Sequence, residues 1–169
     1  MTVRLATSND IPALLQLIRR VVPLMQASGN FQWDDQYPNA AVFENDIALN
    51  QLWIAERDGK PVGVAAITTD QEPEYAQVGW DLSETALVVH RLAVDPAVRG
   101  RGIAALLLAQ ADEVARQRSI DVLRIDTNTQ NEATQRLFPK AGYVFAGEIG
   151  LGFRPGLRFY CYEKRLNLS

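Results

Sequence analysis

The sequence TALVVHRLAVDPAVRGRGIAALL, residues 85–107, joins an apolar run to a glycine-containing loop and the start of a periodic pattern. The apolar run, Thr85 to Val94, is typical of a buried central strand, and Asp95-Pro96 ends it. Beyond Gly102 the apolar residues recur with a helical period to about Arg118. They are Ile103, Leu106, Leu107, Ala111 and Val114. The order along the chain is therefore strand, glycine loop, helix.

The loop from Arg99 to Ala104, RGRGIA, has the composition of an anion-binding site. In the first turn of a helix several backbone N–H groups have no partner within the helix, and the helix dipole favours negative charge. Gly100 and Gly102 let the main chain approach a pyrophosphate closely, and Arg99 and Arg101 can add charge-assisted hydrogen bonds. The sequence contains neither the Gly-Lys-Ser/Thr of a P-loop nor a Gly-x-Gly-x-x-Gly motif.

Apolar periodicity and turn residues predict the remaining elements. Helices are expected over residues 11–26, 40–50 and 131–138, and strands over 3–6, 52–57, 62–68, 121–126, 143–149 and 158–164. Asp58-Gly59, between two strand-like runs, is a strong hairpin signal. Segments 28–39 and 70–84 are irregular and contain large aromatic residues. Together these elements predict a mixed α/β sheet with helices on both faces.

Length and composition predict one soluble domain over residues 1–169, because 47% hydrophobic and 22% charged residues suit a single buried core. The net charge of −3 argues against a nucleic-acid partner. No apolar run approaches the roughly 18–20 residues of a bilayer helix, and the amino terminus lacks the pattern of a signal peptide. We therefore expect a cytoplasmic protein without a membrane partner. The single Cys161 and single His90 exclude a disulfide and a Cys/His zinc site, so no metal is expected.

The loop and its surroundings resemble the GNAT N-acetyltransferases, whose signature is Gln/Arg-x-x-Gly-x-Gly/Ala at the start of a helix that follows a central strand. Arg99, Gly102 and Ala104 match this signature. The similarity extends to HRLAVDP at residues 90–96 and to the segment from Asn131 to Tyr143, and it maps over residues 2–165. It implies a central, mostly antiparallel sheet of about six to seven strands, splayed in the middle and flanked by about four helices.

The resemblance also implies a binding site for acetyl-CoA as cosubstrate. The main chain of Leu92 and Val94 would hold the pantetheine arm. Loop residues Arg99, Gly100, Arg101, Gly102, Ile103 and Ala104 would hold the pyrophosphate. Asn131 would hydrogen-bond the cofactor and Phe138 would pack against it. Strands that splay after Val94 and before Asp126 would open the slot that admits it.

The implied reaction is direct attack of a neutral primary amine on the thioester, with the oxyanion held by strand N–H groups. His90 is the candidate base, because its usual pKa of about 6.5 suits proton transfer near neutral pH. Strand alternation predicts that His90 shares a face with Val88, Leu92 and Val94. Some relatives carry a catalytic carboxylate where this sequence has Val88. The alternative bases are Glu84, Asp81 and the pair Asp34-Asp35.

In many relatives a tyrosine occupies the position of Phe138, and the hydroxyl of that tyrosine protonates the departing thiolate. Phe138 cannot do so, which leaves water or another tyrosine, with Tyr143, Tyr160 and Tyr162 as candidates. A thiolate is a tolerable leaving group, since thiols have a pKa near ~8.5. Cys161 is expected to be a core residue, because no second histidine could activate it.

Four aromatic residues in the irregular segments are candidates for the wall of an acceptor pocket, or else anchors of long loops: Trp33, Tyr37, Tyr75 and Trp80. The expected acceptor is a small-molecule or peptide amine, and a homodimer is left open. Three other interpretations remain at this point: a CoA-binding module without transferase activity, an enzyme acting on a protein amino terminus or lysine, and a nucleotide hydrolase.

Overall fold

The computed structural model describes residues 1–168 as a seven-stranded sheet with helices on both faces. The strands are β1 (Thr2–Leu5), β2 (Leu52–Arg57), β3 (Lys60–Thr68), β4 (Leu87–Val94), β5 (Val122–Asn128), β6 (Val144–Gly150) and β7 (Arg158–Arg165). The helices are α1 (Ile11–Ala27), α2 (Ala40–Ala48), α3 (Ile103–Gln117) and α4 (Glu132–Lys140). Within residues 1–168 no helix is long and apolar enough to cross a membrane.

The sheet order is β1-β2-β3-β4-β5-β7-β6, and every neighbouring pair is antiparallel except β4 and β5. This confirms the predicted mixed sheet and the central place of the strand before the glycine loop. The predicted hairpin is also present: Asp58 and Gly59 both have positive φ, 51° and 77°, as a two-residue turn between twisted strands requires.

One face of the sheet packs on α3 and the other on α1 and α2. Gly63 of β3 lies directly under the start of α3, where a Cβ atom would come within 2.6 Å of Ile103 Cγ2 and 3.1 Å of Leu107 Cδ1. The missing side chain therefore allows α3 to approach the sheet closely. This contact matters for function because α3 begins at the glycine loop.

A β-bulge at Arg91 interrupts the alternation of β4. Ala66 of β3 pairs with His90, but Val64 pairs with Ala93, so β4 contains one extra residue, and Arg91 has a positive φ of 54°. Beyond the bulge Leu92 and Val94 pack on the α3 side with Val89, whereas Ala93 belongs to the α1 side. The prediction that His90 shares a face with Leu92 and Val94 was therefore wrong; of the three predicted neighbours, only Val88 lies on its face.

The parallel strands β4 and β5 splay apart. They pair only at Leu87–Leu123 and Val88–Arg124, after which β4 follows β3 while β5 follows β7. The resemblance implied this splay. On β5 it begins at Ile125, before Asp126 as expected, but on β4 it begins at Val89 and not after Val94. A V-shaped slot therefore opens in the middle of the sheet, and His90 and Asp126 lie just beyond the last paired residues.

Candidate active site

A groove of about 750 Å³ runs along the slot, between the carboxyl end of α1, the start of α3 and the start of α4. We call it the loop groove, because the glycine loop forms its outer end. Eight of the ten residues predicted to bind the cofactor line it: Leu92, Val94, Arg99, Gly100, Gly102, Ile103, Ala104 and Asn131. Arg101 is exposed outside the groove, and Phe138 lies elsewhere. The sequence therefore identified most of one continuous surface.

The glycine loop combines two left-handed glycines with the amino terminus of a helix. Gly100 and Gly102 have φ values of 80° and 74°, in the left-handed region that suits glycine, and Gly102 is the residue before the first turn of α3. Nothing lies within 4 Å of where a Cβ of Gly102 would be, so the space in front of the helix is open. Asp95 fixes the turn that precedes the loop, accepting hydrogen bonds from Ala97 N at 3.0 Å and from the Arg20 guanidinium at 2.9 Å.

Asn131 connects the loop groove to the inner part of the slot. Its Oδ1 accepts a hydrogen bond from Thr134 N at 3.2 Å and so caps α4, which leaves Nδ2 without a hydrogen-bond partner among residues 1–168. The main chain of β4 beyond Val88 is also unpaired on the side that faces β5. Unpaired strand edges bind extended chains through main-chain hydrogen bonds. Both features suit an arm that lies along β4.

A second, inner cavity of about 420 Å³ adjoins the groove, and Met25, Asn30, Leu92, Asn131 and Thr134 line both. Trp33 and Tyr37 form part of its wall, as two of the four predicted aromatic residues. Tyr75 and Trp80 do not line it. Tyr75 is fully buried with its ring 5.1 Å from that of Trp80, and the buried Arg124 guanidinium lies 4.9 Å above the Trp80 ring. These two residues anchor segment 70–84 to the sheet.

Phe138 also lines the inner cavity, although only 1% of its surface is exposed. Its ring centroid lies 5.3 Å from that of Tyr162 and 6.0 Å from that of Tyr143. The Tyr143 hydroxyl is buried without a hydrogen-bond partner among residues 1–168, and burial raises its pKa. Tyr143, Tyr160 and Tyr162 are not among the residues that line either cavity. The expected substitutes for a catalytic tyrosine are therefore not at the slot.

His90 lines the inner cavity. Its Nε2 lies 2.9 Å from the main-chain oxygen of Asp70, and because a carbonyl oxygen only accepts, Nε2 carries the proton. Burial lowers the pKa of His90, and the neighbouring Arg91 adds to this effect. In the neutral ring Nδ1 is then unprotonated, which is the form a base requires.

Carboxylates missed by sequence reasoning also line the inner cavity: Asp70, Glu72 and Asp126. Burial raises the pKa of Asp126 to about 6. Burial, and after it the negative charge of Glu74, raises the pKa of Glu72.

The carboxylates predicted as alternative bases lie outside the inner cavity: Glu84 pairs with Arg124 and Arg165, and Asp34 pairs with Arg154. Asp81 accepts hydrogen bonds from Ser83 and Asp35 is exposed. Within residues 1–168 no group of acidic, His or Cys side chains is arranged to hold a metal ion.

The one arginine of the inner cavity is already paired. Arg91 donates to both carboxylate oxygens of Asp46, at 2.6 and 2.7 Å, and to the Tyr37 hydroxyl at 3.2 Å. Asp46 is 1% exposed, so this bidentate pair holds the bulge in place from the α2 side. Its charges cancel locally. The carboxylates of the inner cavity therefore give it a negative potential.

Similar proteins are acetyltransferases. An L-2,4-diaminobutyric acid acetyltransferase of Streptomyces coelicolor is 42% identical over 48% of this chain, a match that covers 44% of that protein, so the chain corresponds to less than half of this relative's length. An acetyltransferase of Agrobacterium fabrum is 30% identical over 69% of this chain and 82% of its own. The crystal structure of a GNAT-family acetyltransferase from Streptococcus agalactiae superposes with a TM-score of 0.80 at 27% identity, over 97% of this chain and 94% of its own.

The match to the family covers more of the chain than the sequence match to either of these two relatives. Residues 18–143 match the sequence model of the acetyltransferase (GNAT) family, from the middle of α1 to the turn after α4. This range includes β4, the glycine loop and both strands of the slot. The chain therefore belongs to the acetyltransferase (GNAT) family.

Proposed function

We propose that the protein transfers the acetyl group of acetyl-CoA directly to a primary amine of a small, positively charged molecule. The observation that carries this proposal is the meeting of two spaces at the slot: a groove ending at the amino terminus of α3, and a cavity lined by carboxylates and His90. The amine nitrogen bonds to the thioester carbonyl carbon, the C–S bond breaks, and the amine loses one proton. CoA leaves as the thiolate and takes a proton from water.

For the donor, we propose the pyrophosphate at the glycine loop and the pantetheine arm along β4. The loop offers the first-turn amides of α3 and the guanidinium of Arg99, and the arm can use the unpaired main chain of Leu92 and Val94. The Nδ2 group of Asn131 is available to an acceptor oxygen on the same arm. This arrangement directs the thioester toward the inner cavity.

For the acceptor, the volume and charge of the inner cavity favour a small cation. About 420 Å³ lies at the small end of the range of ligand pockets, and the lining carboxylates attract an ammonium group. The similarity to a diaminobutyric acid acetyltransferase supports the same class of molecule. A set of amines should therefore rank small diamino acids and diamines above neutral-bodied amines and above peptides with a free amino terminus.

We also propose that His90 takes the proton from the attacking amine, at its unprotonated Nδ1. The hydrogen bond of Nε2 to the Asp70 oxygen fixes the tautomer of the neutral ring, and burial favours that neutral form by lowering the pKa of His90. The proton moves as the C–N bond forms, when the nitrogen becomes more acidic. Phe138 then serves only as an apolar wall.

The donor site is tested by titration calorimetry of CoA with Gly102→Glu and a matched control, Gly59→Glu. Both glycines have φ near 75°, at 74° and 77°, and open space around the Cβ position, but Gly59 lies in the β2–β3 turn. Any destabilisation caused by a glutamate at positive φ therefore affects both variants alike. We expect CoA binding to be largely lost only in Gly102→Glu, through the added negative charge and bulk. Equal affinities in the two variants would reject the site.

A further inference from the structure

We infer that Asp126 binds the ammonium group of the acceptor, and that Tyr75 is the positioning residue that orients its carboxylate. This inference rests on the proposed function and names the residue that selects a charged acceptor. The sequence alone did not predict a contact between Tyr75 and Asp126.

The register of the slot gives His90 and Asp126 equivalent positions on the two diverging strands. The last pair between the parallel strands is Val88–Arg124, and His90 and Asp126 each follow it by two residues. Since side chains alternate along a strand, both lie on the same face as that pair, away from α3. Both line the inner cavity. The inner cavity is therefore lined by an imidazole from β4 and a carboxylate from β5.

Tyr75 occupies one oxygen of Asp126 and leaves the other available. The Tyr75 hydroxyl donates to Asp126 Oδ2, and Oδ1 has no hydrogen-bond partner among residues 1–168. Oδ1 is also not sealed from solvent, as expected for an atom that opens into the cavity. Burial raises the pKa of Tyr75 well above its usual value, so the hydroxyl remains a donor at every relevant pH. The carboxylate is therefore held in one orientation.

The charges around Asp126 leave it without a counter-ion. Burial is the main cause of its raised pKa, the negative charges of Glu72 and Glu74 add to it, and the hydrogen bond from Tyr75 opposes it. The other titratable or charged groups nearby are Cys161 on β7, His90 and Arg91 on β4, and Asp70. No salt bridge to Asp126 occurs within residues 1–168, and Arg91 is committed to Asp46. An acceptor ammonium would supply the missing positive charge.

The direct test is steady-state kinetics of Asp126→Asn on the best amine. Asparagine keeps the volume and an oxygen that accepts from Tyr75, so the fold should persist. We expect the KM for the amine to rise about 10-fold or more, with kcat changed far less and CoA affinity unchanged. An unchanged KM for the amine would overturn the inference. If the wild-type enzyme turned over without binding CoA at the glycine loop, that result would count against the proposed function. It would not count against the role of Asp126.

The role of Tyr75 is tested by the pH dependence of kcat/KM in Tyr75→Phe, with Tyr143→Phe as the matched control. The hydrogen bond from Tyr75 lowers the pKa of Asp126, so its loss should move the acidic limb of the profile to higher pH. Tyr143 is as buried but its hydroxyl has no partner among residues 1–168 and lies outside both cavities. We expect no shift in the control. Identical acidic limbs in wild type and Tyr75→Phe would contradict the positioning role.

Discussion

His90 is a single side chain whose tautomer, charge and position all derive from its neighbours. The hydrogen bond to the Asp70 oxygen requires a proton on Nε2, and burial favours the neutral ring. We predict that His90→Gln lowers kcat by about 10²-fold or more while the affinity for CoA stays within error of wild type. Rapid-quench or steady-state kinetics combined with calorimetry would measure both. Normal turnover in the variant would assign His90 a purely structural role.

Asp126 should destabilise the folded protein above its pKa. Its pKa is raised from 3.8 to about 6 in the folded state, because the fold favours the neutral carboxyl. The contribution of Asp126 to the free energy of unfolding is therefore highest at low pH and falls as pH rises through about 6. Asp126→Asn, which cannot ionise, should therefore increase the free energy of unfolding by about 1–3 kcal/mol near pH 8. Near pH 4 the difference should almost vanish. Urea unfolding at both pH values measures it, and a variant less stable than wild type near pH 8 would contradict this account.

The close packing of α3 on β3 depends on one glycine, Gly63. Replacing Gly63 by alanine would force its Cβ against Ile103 and Leu107 at the start of α3. We predict that Gly63→Ala lowers the free energy of unfolding by about 1–3 kcal/mol and weakens CoA binding, because α3 and its first-turn amides must shift. The control is Gly152→Ala, whose Cβ would meet only Glu74 Oε1 at an ordinary 3.6 Å. Equal stability and CoA affinity in the two variants would mean that α3 tolerates the displacement.

The elements that sequence predicted best are those fixed by local signals. The Asp58-Gly59 hairpin, α1 and the strand–loop–helix around Gly102 follow from turn residues and periodicity within a short segment. The bulge at Arg91 does not, because it is held by Asp46, 45 residues away in the sequence. The orientation of Asp126 depends on Tyr75, 51 residues away. Contacts of this kind require the fold, which is why the loop groove was predicted and the inner cavity was mostly missed.

At the scale of the whole molecule, the splay of β4 and β5 joins two surfaces of opposite electrostatic character. The loop groove presents helix amides and Arg99 to an anion, whereas the inner cavity presents carboxylates to a cation. A net charge of −3 hides this division, since it averages over the surface. The bulge and the early divergence of the strands bring the two surfaces together at the same point of the sheet. Transfer between an anionic donor and a cationic acceptor is the function that we propose for this arrangement.

The most direct test is the stoichiometry of transfer: thiol release from acetyl-CoA measured in parallel with acetylated amine by mass spectrometry, for wild type, Gly102→Glu and Gly59→Glu. We predict equal amounts of free CoA thiol and acetylated diamine in wild type and Gly59→Glu, and neither product above background in Gly102→Glu. Thiol release without acetylated amine in wild type would contradict amine transfer. Full production of both by Gly102→Glu would contradict the placement of acetyl-CoA at the glycine loop.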